Sequence, residues 1–309
     1  MTKITKNDQV ILWSAEEDLK DQRFHQVVNK MEHLMAIYPD DVTIHLLLAS
    51  GLSGLKRYPE AYQMILAFRD RLADAPSYLP EAVRISLKNE AFMLAREIIH
   101  DPLFNNSDQF RTAIEEAENQ FRFDRSVDLQ KRMRAFSHAG SLAADQQAQT
   151  LISALKLPLR EYMQAARGVL SDPFGWQVTK TQVLLELKAI GSTETVTLNW
   201  LDNESYQLRI ADLPILETVS PLIEALNDLH QQYAGQDPVK YQLIEQQILT
   251  EAQYIYPFFD KVITDPKFWV KIVGSHLFGD EVAAKSADQR QMLTWIEKIN
   301  QAESFMKFV

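Results

Sequence analysis

Residues 24–34, FHQVVNKMEHL, decide the fold, because their apolar pattern returns in residues 58–68, YPEAYQMILAF. Each apolar position moves by 34 residues between the two copies, and the pairs are Phe24 and Tyr58, Val27 and Ala61, Met31 and Ile65, and Leu34 and Phe68. Within each copy, spacings of three, four and three residues place the four side chains on one face of a helix. The sequence therefore predicts a duplicated helix with one apolar stripe.

A period of 34 residues is typical of helix–turn–helix repeats that stack on one another, since one pair of helices cannot bury both of its faces. We expect the first repeat to hold helices at about 8–20 and 23–38, followed by Pro39. The second repeat starts near Val42 and turns between its helices at 54–57. The array thus begins within the first ten residues of the sequence.

The end of the second repeat and the whole third repeat depart from this pattern. The closing proline of the second repeat is Pro76, three residues later than the period requires. Residues 92, 95 and 99 continue the apolar stripe as Phe, Ala and Ile, but Pro102 then breaks it. We expect two short helices within 78–100, joined by a turn at 88–90, with a single helix as the alternative.

At these positions the sequence resembles the tetratricopeptide repeat family. That resemblance implies an α-α superhelix of antiparallel helix pairs that serves as a protein-binding scaffold. From residue 140 onward, the order of short motifs also looks like a family of uncharacterised tetratricopeptide proteins of Gram-positive (Firmicute) bacteria, for which no activity is implied residue by residue. The motifs are Gly140-Ser141-Leu142, LPLREY at 157–162, Asp172-Pro173, Lys180-Thr181, the strand at 195–201, ADLP at 211–214 and FWV at 268–270.

After the repeats, Asn106-Ser107-Asp108 predicts the start of a long helix that ends near His138 and closes the array. Gly140 suits the residue after a helix end. Two antiparallel helices are expected at about 143–156 and 158–170, and further helices at about 175–190, 218–233, 238–256, 265–277 and 286–305. The fold class is therefore mainly α, with repeats at 1–140 and a C-terminal helical domain at 141–309.

One segment of the C-terminal half has a different period. Residues 194–210 alternate between apolar and polar and are rich in β-branched and aromatic side chains, with turn-forming residues at 202–205. This pattern predicts one small β-hairpin. A lone hairpin is marginal in water, so we expect it to pack against helices.

Composition argues against several functional classes. The formal net charge is −10 and the sequence pI is about 5.3, which disfavours nucleic-acid binding because such binding needs a basic surface. The sequence has no cysteine, so disulfides and thiolate chemistry are excluded. Neither a secretory signal nor a run of about 18 apolar residues is present, and we expect a cytoplasmic location without membrane contact.

Motifs for catalysis and cofactors are also missing. Neither of the common Gly-rich phosphate-binding patterns is present, and the seven histidines contain no His-Glu-x-x-His pair. His25 and His33 lie eight residues apart on one helix, where exposed histidines explain them better than a metal site does. The aromatic residues of 254–278 favour a core segment over a base-stacking platform. We expect no cofactor, no metal and no enzymatic activity.

The family resemblance implies a concave groove lined by the first helix of each repeat. Carried onto this chain, the groove positions are Gln9, Leu12, Trp13, Glu16, Leu19 and Lys20 in the first repeat and Thr43, Leu46, Leu47, Ser50, Ser53 and Gly54 in the second. We therefore expect exposed apolar area at Leu12, Trp13, Leu46 and Leu47, of the kind that marks interaction sites. The alternative is that the C-terminal half of the chain itself fills the groove.

The groove positions also limit the ligand. Family members that grip a peptide's C-terminal carboxylate need Lys and Asn where this chain has Leu12 and Glu16, and Asn where it has Leu47. An apolar or basic peptide segment of another protein fits better. The sequence thus predicts a non-catalytic scaffold or adaptor. The alternatives are a hydrolase or transferase with a site between the array and the C-terminal domain, and a peptide-sensing regulator.

Overall fold

The computed structural model describes residues 4–104 and 107–307 and is mainly helical. In the first part of the chain the helices are α1 (Lys6–Lys20), α2 (Phe24–Ile37), α3 (Val42–Gly54), α4 (Tyr58–Leu66), α5 (Leu79–Lys88), α6 (Phe92–His100), α7 (Ser107–Asp124) and α8 (Ser126–Ser137). The later helices are α9 (Ala144–Ala154), α10 (Leu159–Ser171), α11 (Gln177–Ala189), α12 (Ser220–Tyr233), α13 (Pro238–Ile255), α14 (Phe259–Val262), α15 (Pro266–Phe278) and α16 (Ala287–Lys307).

The chain divides into two compact units. We call the first the repeat unit, which holds residues 1–133, 152–163 and 189–191. The second, the hairpin unit, holds residues 134–151, 164–188 and 192–309. This division differs from the single boundary expected at residue 140, because the chain returns to the repeat unit twice after leaving it.

The first return is fixed by polar contacts with earlier helices. The Met93 N–H at the start of α6 donates to the Leu155 carbonyl at 3.1 Å. Arg122 of α7 donates from Nη2 to Glu161 Oε2 at 2.9 Å, and both residues belong to the repeat unit. Sequence periodicity does not report such contacts, since they join residues far apart in the chain.

The turns inside the first three helix pairs repeat with the 34-residue period. Helices α2, α4 and α6 begin at residues 24, 58 and 92. Two residues before each start, Gln22, Lys56 and Glu90 adopt left-handed backbone conformations with φ of 59°, 60° and 58°. In each turn the next backbone N–H bonds to a carbonyl five residues earlier, at 2.8–2.9 Å. The two short helices and the turn expected within 78–100 are therefore confirmed.

The duplicated stripes form the core of these helix pairs. Val27 and Met31 of α2, Ala61 and Ile65 of α4, and Ala95 of α6 are fully buried. Helix α3 approaches α2 so closely that a Cβ atom at Gly54 would lie 2.2 Å from Cδ1 of Phe24. The 34-residue pattern thus predicted the packing faces of α2 and α4.

The long closing helix expected to run to His138 is divided in two. Helices α7 and α8 are separated at Arg125, where the Arg125 N–H still bonds to the Phe121 carbonyl at 2.8 Å. The interruption is therefore local. The expected cap at Asn106 lies outside the described residues.

The predicted β-hairpin is confirmed. Strand β1 (Thr195–Asn199) pairs antiparallel with β2 (Ser205–Arg209), and Leu198 lies opposite Tyr206. Its buried face includes Trp200, just after β1, whose ring centroid lies 4.8 Å from that of Phe258. The hairpin packs against the segment between α13 and α14, as a two-stranded sheet requires.

Candidate functional site

The clearest exposed apolar surface among the predicted groove residues lies on α1. Trp13 is 58% exposed and Val10, three residues earlier, is 59% exposed. Residues at spacings of three and four share one face of a helix. We call this face the Trp13 strip, and its members are Gln9, Val10, Trp13, Glu16, Glu17 and Lys20.

Charged side chains lie beside Val10 and Trp13 on the Trp13 strip. Lys20 Nζ pairs with Glu17 Oε1 at 2.6 Å, which leaves the carboxylate of Glu16 without a cation among the described ion pairs of the strip. Glu16 and Glu17 thus give the strip two carboxylates against the single amine of Lys20. The apolar centre of the strip is therefore flanked by negative charge.

The other half of the predicted groove is not exposed. Leu47 is 0% exposed, and Leu46 and Ser50 on α3 and Leu12 on α1 are also buried. The expectation of exposed apolar area at Leu12, Leu46 and Leu47 is wrong, and only Trp13 meets it. Thr43 and Ser53 are half-buried.

Packing on α2 explains the burial of Leu47, which shares the helix face of Gly51 and Gly54 that meets Val27 and Phe24. The segment between α4 and α5 also lies against α3. Its two 3-10 turns, Arg69–Asp74 and Pro76–Tyr78, both contact α3. The Tyr78 hydroxyl donates to Glu16 Oε1 at 3.1 Å and so joins the segment to α1. The late position of Pro76 was the sequence signal of this longer connection. Residues 69–78 of the repeat unit thus contact both α1 and α3, the helices that were predicted to line the groove.

The polar groove residues of α3 bond to neighbouring groups of the protein. Ser50 Oγ donates to the Leu46 carbonyl at 2.8 Å, within the helix. Ser53 Oγ donates to Glu81 Oε1 of α5 at 3.0 Å. These hydroxyl groups stabilise the helix and its packing on α5, and they are not presented toward a partner.

The structure gives no support to a metal centre in the part of the chain that it describes. There, no group of three or more His, Asp or Glu side chains is placed to hold an ion. His25 and His33 are both exposed on α2. Likewise, no helix within residues 4–104 and 107–307 combines the length and apolar character needed for a membrane span.

The aromatic segment 254–278 is mainly core, as predicted. Tyr254, Tyr256, Phe259 and Trp269 are buried, whereas Phe278 at the end of α15 is exposed. Burial of this kind removes the ring faces that a base-stacking platform would present to single-stranded nucleic acid. The aromatic residues stabilise the hairpin unit.

Sequence reasoning missed a cavity in the hairpin unit. It has a volume of about 480 Å³ and lies among the α10–α11 loop, the hairpin turn, α13 and α16. Lys180 of α11 lines it and is only 2% exposed. One signal was available, because Lys180 shares its helix face with Val183, Leu184 and Leu187, all of them buried. Lysine is almost never fully buried unless it is paired, so a lysine in a buried apolar stripe indicates an unusual environment for its amine.

Comparison of the chain with protein-family models, with curated proteins and with solved structures finds no match in any of the three. The Trp13 strip and the cavity are the two features of the described residues that bear on function.

Proposed function

We propose that this protein is a non-catalytic interaction scaffold of tetratricopeptide type, and that it binds an apolar or basic segment of another protein. The observation that carries this proposal is the exposed pair Val10 and Trp13 on the first helix of the array. Large aromatic side chains contribute much of the binding energy at protein interfaces. The three equivalent turns at Gln22, Lys56 and Glu90 support the repeat architecture.

The contact surface in this proposal is narrower than a groove. Because Leu46 and Leu47 of α3 are buried, the partner contacts the Trp13 strip on α1 and does not reach them. A helical or extended segment with one or two apolar side chains would cover Val10 and Trp13.

The charge around the strip decides the chemistry of the partner. Glu16 and Glu17 lie on it with one lysine, Lys20, and the whole chain has a net charge of −10. Opposite charge speeds association and disfavours wrong partners. A basic segment is therefore favoured over an acidic one. A cytoplasmic location belongs to the same proposal, and the absence of cysteine suits a reducing compartment.

Selection of short random peptides on the immobilised full chain tests this proposal with a defined readout. We expect the recovered peptides to combine Leu, Phe or Trp with Lys or Arg. Their affinity, measured by fluorescence anisotropy, should fall by about tenfold or more in Trp13→Ala, as for an interface hot spot.

A matched control is Phe123→Ala, which removes another exposed aromatic side chain from the repeat unit. Its affinity should stay within about twofold of the wild-type value. Recovery of acidic peptides, or an affinity that Trp13→Ala leaves unchanged, would contradict the proposed surface.

A further inference from the structure

The cavity of the hairpin unit has the size and the walls of a small-molecule site. Its volume of about 480 Å³ lies within the range of ligand pockets, about 300–1,000 Å³. Phe174 and Trp176 from the α10–α11 loop, Trp200 from the hairpin and Tyr254 from α13 supply aromatic walls. Such pockets are typically apolar with a few placed polar groups.

Two lysines supply the charge of this cavity. Lys180 Nζ donates to the Asn199 carbonyl at 2.7 Å, and an ammonium group has three donors. Lys298 of α16 also lines the cavity, with its Nζ 4.8 Å from the ring centroid of Trp295. Among the described lining residues there is no carboxylate. The lining therefore carries two amines and no carboxylate, and the nearest carboxylate that acts on Lys180 is that of Asp172, just outside the lining.

The environment of Lys180 shows that its charge is poorly compensated. Burial lowers the pKa of its amine to about 8, against the smaller opposing effect of Asp172. No ion pair joins Lys180 to a carboxylate among the described residues. A buried charge without a counter-ion is costly, and an anion bound in the cavity would remove part of that cost.

Trp200, one of the lining residues, is held in place by its neighbours. Trp200 Nε1 donates to the Tyr256 carbonyl at 3.1 Å, and Lys261 Nζ lies 5.0 Å from the Trp200 ring centroid. Lys261 is itself fixed by Asp202 Oδ2 at 2.7 Å. These contacts keep Trp200, which is 2% exposed, in one position beside the cavity, and such support preorganises a site.

The rim of the cavity is open. Phe174 lines it and is 87% exposed, so its ring is placed at the mouth. An exposed aromatic ring beside an aromatic-walled cavity gains buried area when a ligand enters. Its removal should not disturb the core.

From these observations we propose that the hairpin unit binds a small molecule with an anionic head, a carboxylate or a phosphate, on a flat apolar body. The head lies against Lys180 and Lys298, and the body lies against Trp176 and the Phe174 ring. This site is separate from the Trp13 strip and goes beyond the proposed scaffold function.

Calorimetric titration of the full chain with matched naphthalene probes tests this assignment. The probes are naphthyl phosphate, naphthoate, the neutral naphthol, a cationic naphthylmethylammonium and inorganic phosphate. We expect one or both anionic aryl probes to bind at least about tenfold more tightly than the neutral and cationic ones, a difference of about 1.4 kcal/mol. The affinities of naphthyl phosphate and naphthoate, compared with each other, identify the preferred head group.

Three variants place the binding in the cavity. Lys298→Met and Phe174→Ala, at partly and largely exposed positions, should weaken the anionic probe by about tenfold and about threefold. Lys271→Met removes an exposed lysine of α15 that is not part of the cavity and should leave the affinity unchanged. The proposal is overturned if no anionic probe binds up to about 1 mM, if the neutral probe binds equally well, or if Lys298→Met has no effect.

Discussion

Buried carboxylates have different surroundings in the two units of the molecule. In the repeat unit, Asp18, Glu118 and Glu161 are buried, and each forms an ion pair with at least one Lys or Arg. In the hairpin unit, Glu251 is buried with its Oε2 atom accepting no hydrogen bond. The buried, unpartnered side-chain polar atoms in the described part of the chain all belong to the hairpin unit.

The two units also differ in the empty space that they enclose. The repeat unit buries Leu46 and Leu47 of α3 and has a pocket of about 260 Å³ at the α2–α3 turn, whereas the cavity of the hairpin unit has a volume of about 480 Å³. Buried polar groups without partners are rare in native proteins and often accompany functional sites. The 34-residue repeat, the strongest signal in the sequence, therefore marks the part of the molecule whose buried side-chain polar atoms are better satisfied.

The largest expected effect is a loss of stability, and it tests whether Leu47 of α3 is buried in the core of the repeat unit. Leu47→Ala should lower the free energy of unfolding by about 3 kcal/mol, because it creates a void in the core. The matched change Trp13→Ala should cost less than about 0.5 kcal/mol at its exposed position. Urea denaturation measures both. A Leu47→Ala cost as small as that of Trp13→Ala would mean that the α3 face is open.

A smaller loss is expected from Glu118→Gln in the repeat unit. Glu118 Oε1 accepts from Arg96 Nε at 2.9 Å and from the Leu159 N–H at 3.1 Å. Neutralising this buried carboxylate leaves Arg96 without its counter-ion, and we expect a loss of about 2 kcal/mol. Urea denaturation at pH 7 measures the change. An unchanged free energy of unfolding would show that the ion pair makes no net contribution.

In the hairpin unit, neutralising the buried carboxylate of Glu251 should raise the free energy of unfolding, whereas Glu118→Gln lowers it. Burial and, to a smaller extent, the charge of Glu303 on α16 raise the pKa of Glu251 from its ordinary value of 4.5 to about 8, against the opposing effect of a hydrogen bond from Gln247. Between these two values the folded chain keeps a proton that the unfolded chain releases. The stability contributed by this group is complete below about pH 4.5 and is lost as the pH rises toward 8.

Glu251→Gln removes this pH dependence while it keeps the shape of the side chain. We expect the variant to exceed the wild type by about 1–2 kcal/mol in free energy of unfolding at pH 8, and by much less at pH 5. Denaturation at both pH values measures the difference. A variant that is less stable at pH 8 would show that Glu251 is ionised and well solvated or paired.

The smallest effect concerns the repeated turns. Lys56 has a left-handed φ of 60°, a conformation that costs a non-glycine residue about 1 kcal/mol. Lys56→Gly should therefore raise the free energy of unfolding by about 0.5 kcal/mol. Gln63→Gly, at an exposed position inside α4, should lower it by about 1 kcal/mol. Equal losses from both changes would contradict the left-handed turn.

The sequence was most informative where local period and burial coincide. The stripe from Phe24 to Leu34 predicted the core face of α2, and its copy predicted that of α4, because one side of each helix must be apolar to stack. The hairpin was predictable for the same reason, since a period of two is specific to strands.

The rest depends on contacts between residues far apart in the chain. Leu47 was assigned to a groove because its position in the repeat indicates only that it belongs to a first helix, and not that its face of this helix packs on α2. Similarly, Glu161 returns to the repeat unit through Arg122, and no local pattern shows this pairing. The cavity near Lys180 is assembled from four separate segments.

The central claim is that a partner segment binds the Trp13 strip. Amide hydrogen exchange on the full chain tests this claim most directly. The chain is compared alone and with the tightest peptide from the selection. We predict slower exchange in residues 6–20 of α1, with exchange in the α10–α11 loop, 172–176, and in the hairpin turn, 200–204, unchanged. Slower exchange at 172–176 and 200–204 with no change in α1 would contradict the account.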